Sequence, residues 1–531
     1  MRKKKQVNKL ITSVIFSLVA FSALSQDNSG RPTLVVGITI DQLRSDYIEL
    51  LQSHFGENGF KRLMNNSVYF ENASFDISQL DKISATALIY SGTTPNVNGI
   101  VGSTVYDHKT NKVTPIYLDS KYIGNSTDET YSPMALKVST ISDEIRMDNN
   151  GIGCVYAIAP DAQQAITMAG HAANGAFWIN DKNGKWSSST FYKDFPGVFI
   201  KGNFNKSLAQ RIDTMSWTPT MAIEKYHDLP LHRTFYPFKY TFHGEDKYKK
   251  FKSSALINTE VTSVALSCID ELRLGRRATI DMLNISYTVA PYSYAIDSDD
   301  RIEIQDQYIR LDQELSRLFT SIDKAVGKNA LIFVVSTGYF DNLYATEPRF
   351  NIPTGEFSSK KAISLLNMYL MAIYGNGNWV NGYFNEQIYL NTTLAKEKNI
   401  SIEELRIKSG DFLRRMSGVN GAYTFDEILN NSNNAELIKL NKSINKQNAG
   451  DIYLNIAPGW TIVDDFNNKN VPSKKQVRYN SITTPMFIVA PDVKAQRITY
   501  PVNVSTLAPT VTSILRIRSP NAANLQPLIV K

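Results

Sequence analysis

The sequence predicts an α/β protein built on a central, mostly parallel sheet with helices on both faces. Three observations predict it. Thr33 to Ile40 is a continuous, largely β-branched run, the pattern of a strand buried on both sides. Similar apolar runs return at Cys154 to Ala159, Met282 to Tyr287, Ala330 to Ser336 and Met486 to Ala490. Between them lie helical patterns. The clearest places Ile304, Tyr308, Leu311, Leu315, Ile322 and Val326 on one apolar stripe, with Gly327 as its stop. Strands alternating with helices mark a doubly covered parallel sheet.

The first residues predict export from a bacterial cell. Arg2 to Lys5 and Lys9 form a basic start, and Leu10 to Leu24 an apolar stretch. Ala23-Leu24-Ser25 then offers small residues at a cleavage site before Gln26. The stretch is 15 residues long, short of the ~20 that span a bilayer, so a signal peptide cleaved near Ser25 is expected rather than an anchor. A periplasmic, secreted or cell-surface location follows. Residues 1–25 hold five basic residues and no acidic one, so the formal charge of +7 falls by five to +2 in the mature chain. The basic excess therefore belongs mostly to the leader, and no nucleic-acid partner is expected.

Past the leader, Thr33 to Ile40 ends at Asp41, which sets a carboxylate at the carboxyl end of a strand, where open α/β sheets place their sites. Two regions break the strand–helix rhythm. Residues about 180–255 are rich in Trp, Tyr, Phe and Lys, and residues about 345–475 in Asn and Lys, with a helical fragment at Ser401 to Met416. Both are expected as insertions on the carboxyl-end face of one domain spanning 26–531. Aromatic packing and a carbohydrate or protein contact surface explain the first equally well. Cys154 and Cys268 are the only cysteines, too few for a cysteine metal site, and pairing and two free thiols both stay open. Glu303, Asp306, Glu314 and Asp323 are expected on the solvated face of the long helix.

Several blocks in order resemble the alkaline phosphatase superfamily. The likeness is to single-domain bacterial phosphate-monoesterases related to type I phosphodiesterase/nucleotide pyrophosphatases. Val35-Val36-Gly37-Ile38-Thr39-Ile40-Asp41-Gln42-Leu43-Arg44 is similar to their opening strand and metal-binding aspartate. Gly59-Phe60-Lys61-Arg62-Leu63 resembles their first helix, and Ile89-Tyr90-Ser91-Gly92-Thr93-Thr94-Pro95 the stretch after their nucleophile. Ala169-Gly170-His171, Tyr308-Ile309-Arg310-Leu311-Asp312 and Ala508-Pro509-Thr510 are further family blocks. The resemblance implies an alkaline-phosphatase-like fold and, for an intact member, two zinc ions that clamp the oxygens of an in-line displacement.

Matched position by position, the resemblance implies a dismantled centre. Asp41 keeps the first ligand, and Lys82 stands at the nucleophile. Pro291 and Ala295 stand where an Asp-x-x-x-His pair is expected, Thr337 and Gly338 at an Asp-His pair, and Thr483 at the last histidine. Of the phosphate-holding groups, the asparagine is Ser103, and the lysine and arginine are Asp161 and Gln163, where an acid would repel phosphate. No histidine lies beyond His243, so no register shift restores the family's three zinc-binding histidines in the second half. No cofactor is expected. Asp41 is read as structural, and Lys82 either as an ammonium filling the old metal space or as a solvated lysine beside Asp81. Ser84 is read as a helix cap, and His171 as a satisfied core histidine.

The function expected is a non-catalytic alkaline-phosphatase-like protein with a binding or scaffold role toward an envelope protein or glycan. The alternative is a metal-dependent phosphate, phosphodiester or sulfate ester hydrolase with a remodelled site.

Overall fold

A computed structural model describes residues 31–108, 110–205, 207–227, 237–295, 301–340, 354–431, 433–466, 473–478 and 482–530. The expected signal peptide, and parts of both expected insertions (228–236, 345–353 and 467–472), lie outside them.

Seven strands form the body of the main sheet: β1 (Leu34–Asp41), β2 (Val68–Ser74), β3 (Val155–Ala159), β4 (Gly175–Ile179), β5 (Asp281–Thr288), β6 (Ala330–Ser336) and β7 (Thr484–Val489). Their order is β2–β7–β6–β1–β5–β3–β4, with shorter strands at both edges. β1 pairs in parallel with both β5 and β6, and β3 with β5 and β4. β7 runs antiparallel to β6 and β2. The sheet is mostly parallel, as the apolar runs predict.

Alternation along each strand divides the core into two layers. Val36, Ile38 and Ile40 join α4 (Leu256–Glu271) and α5 (Arg301–Val326) on one face. On the other face Val35 joins α1 (Lys82–Ser91), α2 (Ala162–Ala169) and α6 (Leu507–Ile514). This second face turns polar toward the carboxyl ends. Val35, Gly37, Thr39 and Asp41 follow one another on β1, and Met282, Asn284, Ser286 and Thr288 on β5. Apolar residues anchor the helices below, and the polar ones meet at the rim.

The aromatic stretch before residue 255 is packing. Trp186 and Trp217 are buried, and Trp217 contacts Phe238, Tyr240 and Tyr292. A separate antiparallel sheet orders Val380–Phe384, Gln387–Leu390, Ile452–Ile456 and Val419–Thr424, and shares its own core with the helix Ser359–Tyr374. Both cysteines are free thiols, Cys268 buried and Cys154 half-buried. No helix among the described residues is long and apolar enough to cross a membrane.

The expected solvated face of α5 is corrected. Glu303 and Asp306 are fully buried and Glu314 nearly so, and only Asp323 is exposed. Segments of the aromatic region lie over this face. Asp306 accepts from Trp217 Nε1 at 2.6 Å, Thr220 N at 2.6 Å, Tyr226 Oη at 2.8 Å and Arg310 Nε at 2.7 Å. A helix's charged stripe is solvated only when no later segment covers it, and this stripe is covered.

Candidate functional site

Sheet order brings the residues singled out by sequence to one place. β1, β5 and β3 lie side by side, so Asp41, Thr288 and the turn after β3 share a rim, with the start of α1 above it. There a cleft of about 420 Å³ is lined by Asp41, Lys82, Ser103, Asp161 and Pro291.

α1 begins at this rim for a local reason. Asp81 caps it, accepting from Ile83 N at 2.9 Å and Ser84 N at 2.8 Å, and Ser84 Oγ accepts from Asp81 N at 3.0 Å. Ser84 thus serves the cap from its third position, with Asp81 as the capping residue. The second carboxylate oxygen of Asp81 accepts from Ser103 N at 2.6 Å. Lys82, first residue of the helix, is thereby aimed across the cleft.

Lys82 is neither a solvated partner of Asp81 nor in direct contact with Asp41. Its ammonium donates to Asp161 at the start of α2. Lys252, from the helix α3 (Lys247–Ser253), lies 3.0 Å from the other oxygen of Asp161 and 2.6 Å from Asp181. Burial disfavours charge on all three groups, but mutual attraction outweighs it. Asp161 is held well below the usual carboxylate range by Lys252 and Lys82. Lys82 is pushed above the usual lysine range by Asp161 and, through space, by Asp41. The expectation that Asp161 presents a bare repelling charge is therefore corrected: two ammonium groups neutralise it. A lysine so protonated is no nucleophile.

The remaining positions stand close by. Asp41 accepts from Thr337 Oγ1 at 2.8 Å, where β1 and β6 end together. Gly338 has φ +66°, and a Cβ added there would come to 2.2 Å from the Phe75 ring. Gln163 sits on α2 with its Oε1 buried and unpartnered among the described residues. Ala295 packs at the edge of the α4–α5 layer. Thr483 is exposed, and its carbonyl accepts from Ser45 N at 3.1 Å. His171 hydrogen-bonds the Leu136 carbonyl through Nε2 at 2.9 Å and lies 3.4 Å from Asp143.

A type I phosphodiesterase/nucleotide pyrophosphatase profile matches residues 35–482. The chain belongs to that family. Three relatives match along nearly its whole length. Alkaline phosphatase PhoV of Synechococcus elongatus is 27% identical over 93% of this chain and 92% of its own. Alkaline phosphatase PafA of Elizabethkingia meningoseptica is 27% identical over 94% of each, and a protein of Myroides odoratus named as a calcium-transporting ATPase is 28% identical over 94% and 95%. The crystal structure of wild-type PafA superposes with a TM-score of 0.79 at 25% identity, over 94% of this chain and 98% of that one. The resemblance read from the motifs and the alkaline-phosphatase-like fold are thereby shown.

These relatives overturn one expectation. The sequence led to no cofactor, whereas two of the three proteins matched along nearly the whole length are alkaline phosphatases, whose chemistry rests on metal in the resemblance above. Absence of a cofactor therefore does not stand. The donor set in this cleft nonetheless does not fit a zinc pair of the family pattern. Asp41 is the one matching carboxylate, the Lys82 ammonium faces Asp161, and a side chain at residue 338 would be strained by the left-handed backbone and meet the Phe75 ring. Gly338→Ala tests that last point. It is expected to cost about 1–2 kcal/mol in urea unfolding, through positive φ and the Phe75 contact; a neutral result would mean that Phe75 yields.

Sequence reasoning missed Lys252 and Asp181, which come from the aromatic region. The run Lys247-Tyr248-Lys249-Lys250-Phe251-Lys252 was the available signal, since a basic helix beside a cleft needs acidic partners.

Proposed function

We propose that the chain is an exported, alkaline-phosphatase-like protein of the cell envelope that no longer hydrolyses esters and uses the old cleft for binding. One observation carries this reading: Lys82, which the resemblance sets at the family's oxygen nucleophile, is engaged by Asp161. An ammonium held charged by a carboxylate has no lone pair with which to attack phosphorus. Asp161 supports the reading further, because it matches a cationic phosphate-holding position of the family. Phosphate-monoester hydrolysis is among the slowest uncatalysed reactions, needing accelerations of up to ~10²¹-fold, so a partial site yields very little.

The names of two whole-length relatives favour the second reading, an ester hydrolase with a remodelled site. The two are separated by assaying the mature protein, with zinc supplied, on an aryl phosphate, a phosphodiester and an aryl sulfate. Turnover no higher than that of Asp41→Ala is expected, and Lys82→Thr is expected to gain none. Turnover in the wild type that Asp41→Ala abolishes would establish the hydrolase instead.

A further inference from the structure

The cleft continues beyond its family-equivalent positions. Asp81, Ser103 and Tyr339 also line a second hollow of about 270 Å³, which opens beneath the hairpin at Phe384 to Gln387. The two make one groove, from the carboxyl ends of β1 and β3 outward under the antiparallel subdomain.

Charges in this groove already have partners, some of them one another. Lys82 and Lys252 hold Asp161, and Lys252 holds Asp181. Asp81 takes three backbone N–H groups. Glu386, 7% exposed at the hairpin tip, accepts from Gln79 Nε2 at 3.0 Å and lies 3.3 Å from Lys475. Among the described lining residues, carboxylates outnumber ammonium groups six to four. The groove thus has no positive excess to draw a phosphate or sulfate group.

What it offers a ligand is of another kind. Ser286 on β5 is 1% exposed and lines the floor, and its Oγ has no hydrogen-bond partner among the described residues. Ser103 and Asn385 add a hydroxyl and an amide, while half-buried Tyr339 and Phe384 add aromatic surface. Hydroxyls, amides and rings in a groove without positive excess, its charges largely engaged, suit a ligand with many hydroxyls, apolar ring faces and no charge.

Resting on the binding role above, we propose that the groove binds a short neutral oligosaccharide, with Tyr339 at its midpoint and Ser286 at its inner end. The mature protein is titrated calorimetrically with cellotetraose, maltotetraose and chitotetraose, beside inorganic phosphate and spermidine as charged probes. At least one tetrasaccharide is expected to bind saturably, with an affinity nearly unchanged between about 0.05 and about 0.5 M NaCl. Tyr339→Ala is expected to weaken it about tenfold, and Tyr339→Phe to retain it. A circular-dichroism melt shows whether each variant is folded. No tetrasaccharide binding, binding indifferent to Tyr339→Ala in a folded variant, or tighter binding of phosphate or spermidine would overturn the ligand class. Those outcomes leave the non-hydrolytic reading standing, which only ester turnover overturns.

Discussion

Asp306→Ala is expected to lower the unfolding free energy by about 4 kcal/mol. The carboxylate is fully buried and accepts four hydrogen bonds, from Trp217, Thr220, Tyr226 and Arg310. Alanine removes the acceptor and leaves all four donors, so the indole N–H, the phenol, the amide and the guanidinium each lose a partner where water does not easily reach. Asp323→Ala on the same helix is the control. Asp323 is exposed and bridges to Arg62, so its removal should cost no more than about 0.5–1 kcal/mol. Urea midpoints of the two variants decide it. Equal, small effects would mean that the segment over α5 lifts away and lets water in.

Asp161→Ala comes next, at about 2 kcal/mol, a figure kept modest because a third of the side chain still meets solvent. It strands the Lys82 ammonium and leaves Lys252 with Asp181 alone. Lys82→Met is expected to cost less, since Lys252 still serves Asp161, and the double variant less than the sum of the singles. The pH dependence follows from the direction of each shift. Asp161 is depressed, so its contribution is present above the ordinary carboxylate pKa and lost as pH falls toward the folded value. Lys82 and Lys252 are raised, so theirs is present below the ordinary lysine pKa and lost as pH rises through the folded values. The gap between wild type and Asp161→Ala should therefore be flat from about pH 5 to about pH 10 and shrink outside that window. A gap that changes between about pH 6 and about pH 7 would instead implicate a histidine.

Much of the fold was legible because its signals are local. A strand buried on both sides has to be largely apolar, and Thr33 to Ile40 and its counterparts are, with the polar residues Thr39, Asn284 and Ser286 falling on one face. An amphipathic helix has to repeat, and Ile304 to Val326 does, with Gly327 at φ +62° as its stop. The departures from the family pattern were equally legible, because a missing histidine needs no geometry to be noticed.

Less of the site was legible. Asp41, Lys82, Ser103, Asp161 and Pro291 were singled out, and they line one cleft. Their partners were not foreseen. Adjacent sequence points Lys82 to Asp81, and the resemblance points it to Asp41, but its contact is Asp161, 79 residues on.

The sequence alone determined the strands, the long helix, the family resemblance and the residues that the resemblance sets at the family's catalytic positions, since each is written in adjacent or evenly spaced residues. Only the tertiary structure decided which charges meet. The order β1–β5–β3 brings Asp161 near Asp41, and the packing of the aromatic region brings in Lys252 and buries Asp306. Charge partners are set by which chain ends lie side by side, and in a parallel sheet neighbouring ends come from distant parts of the sequence.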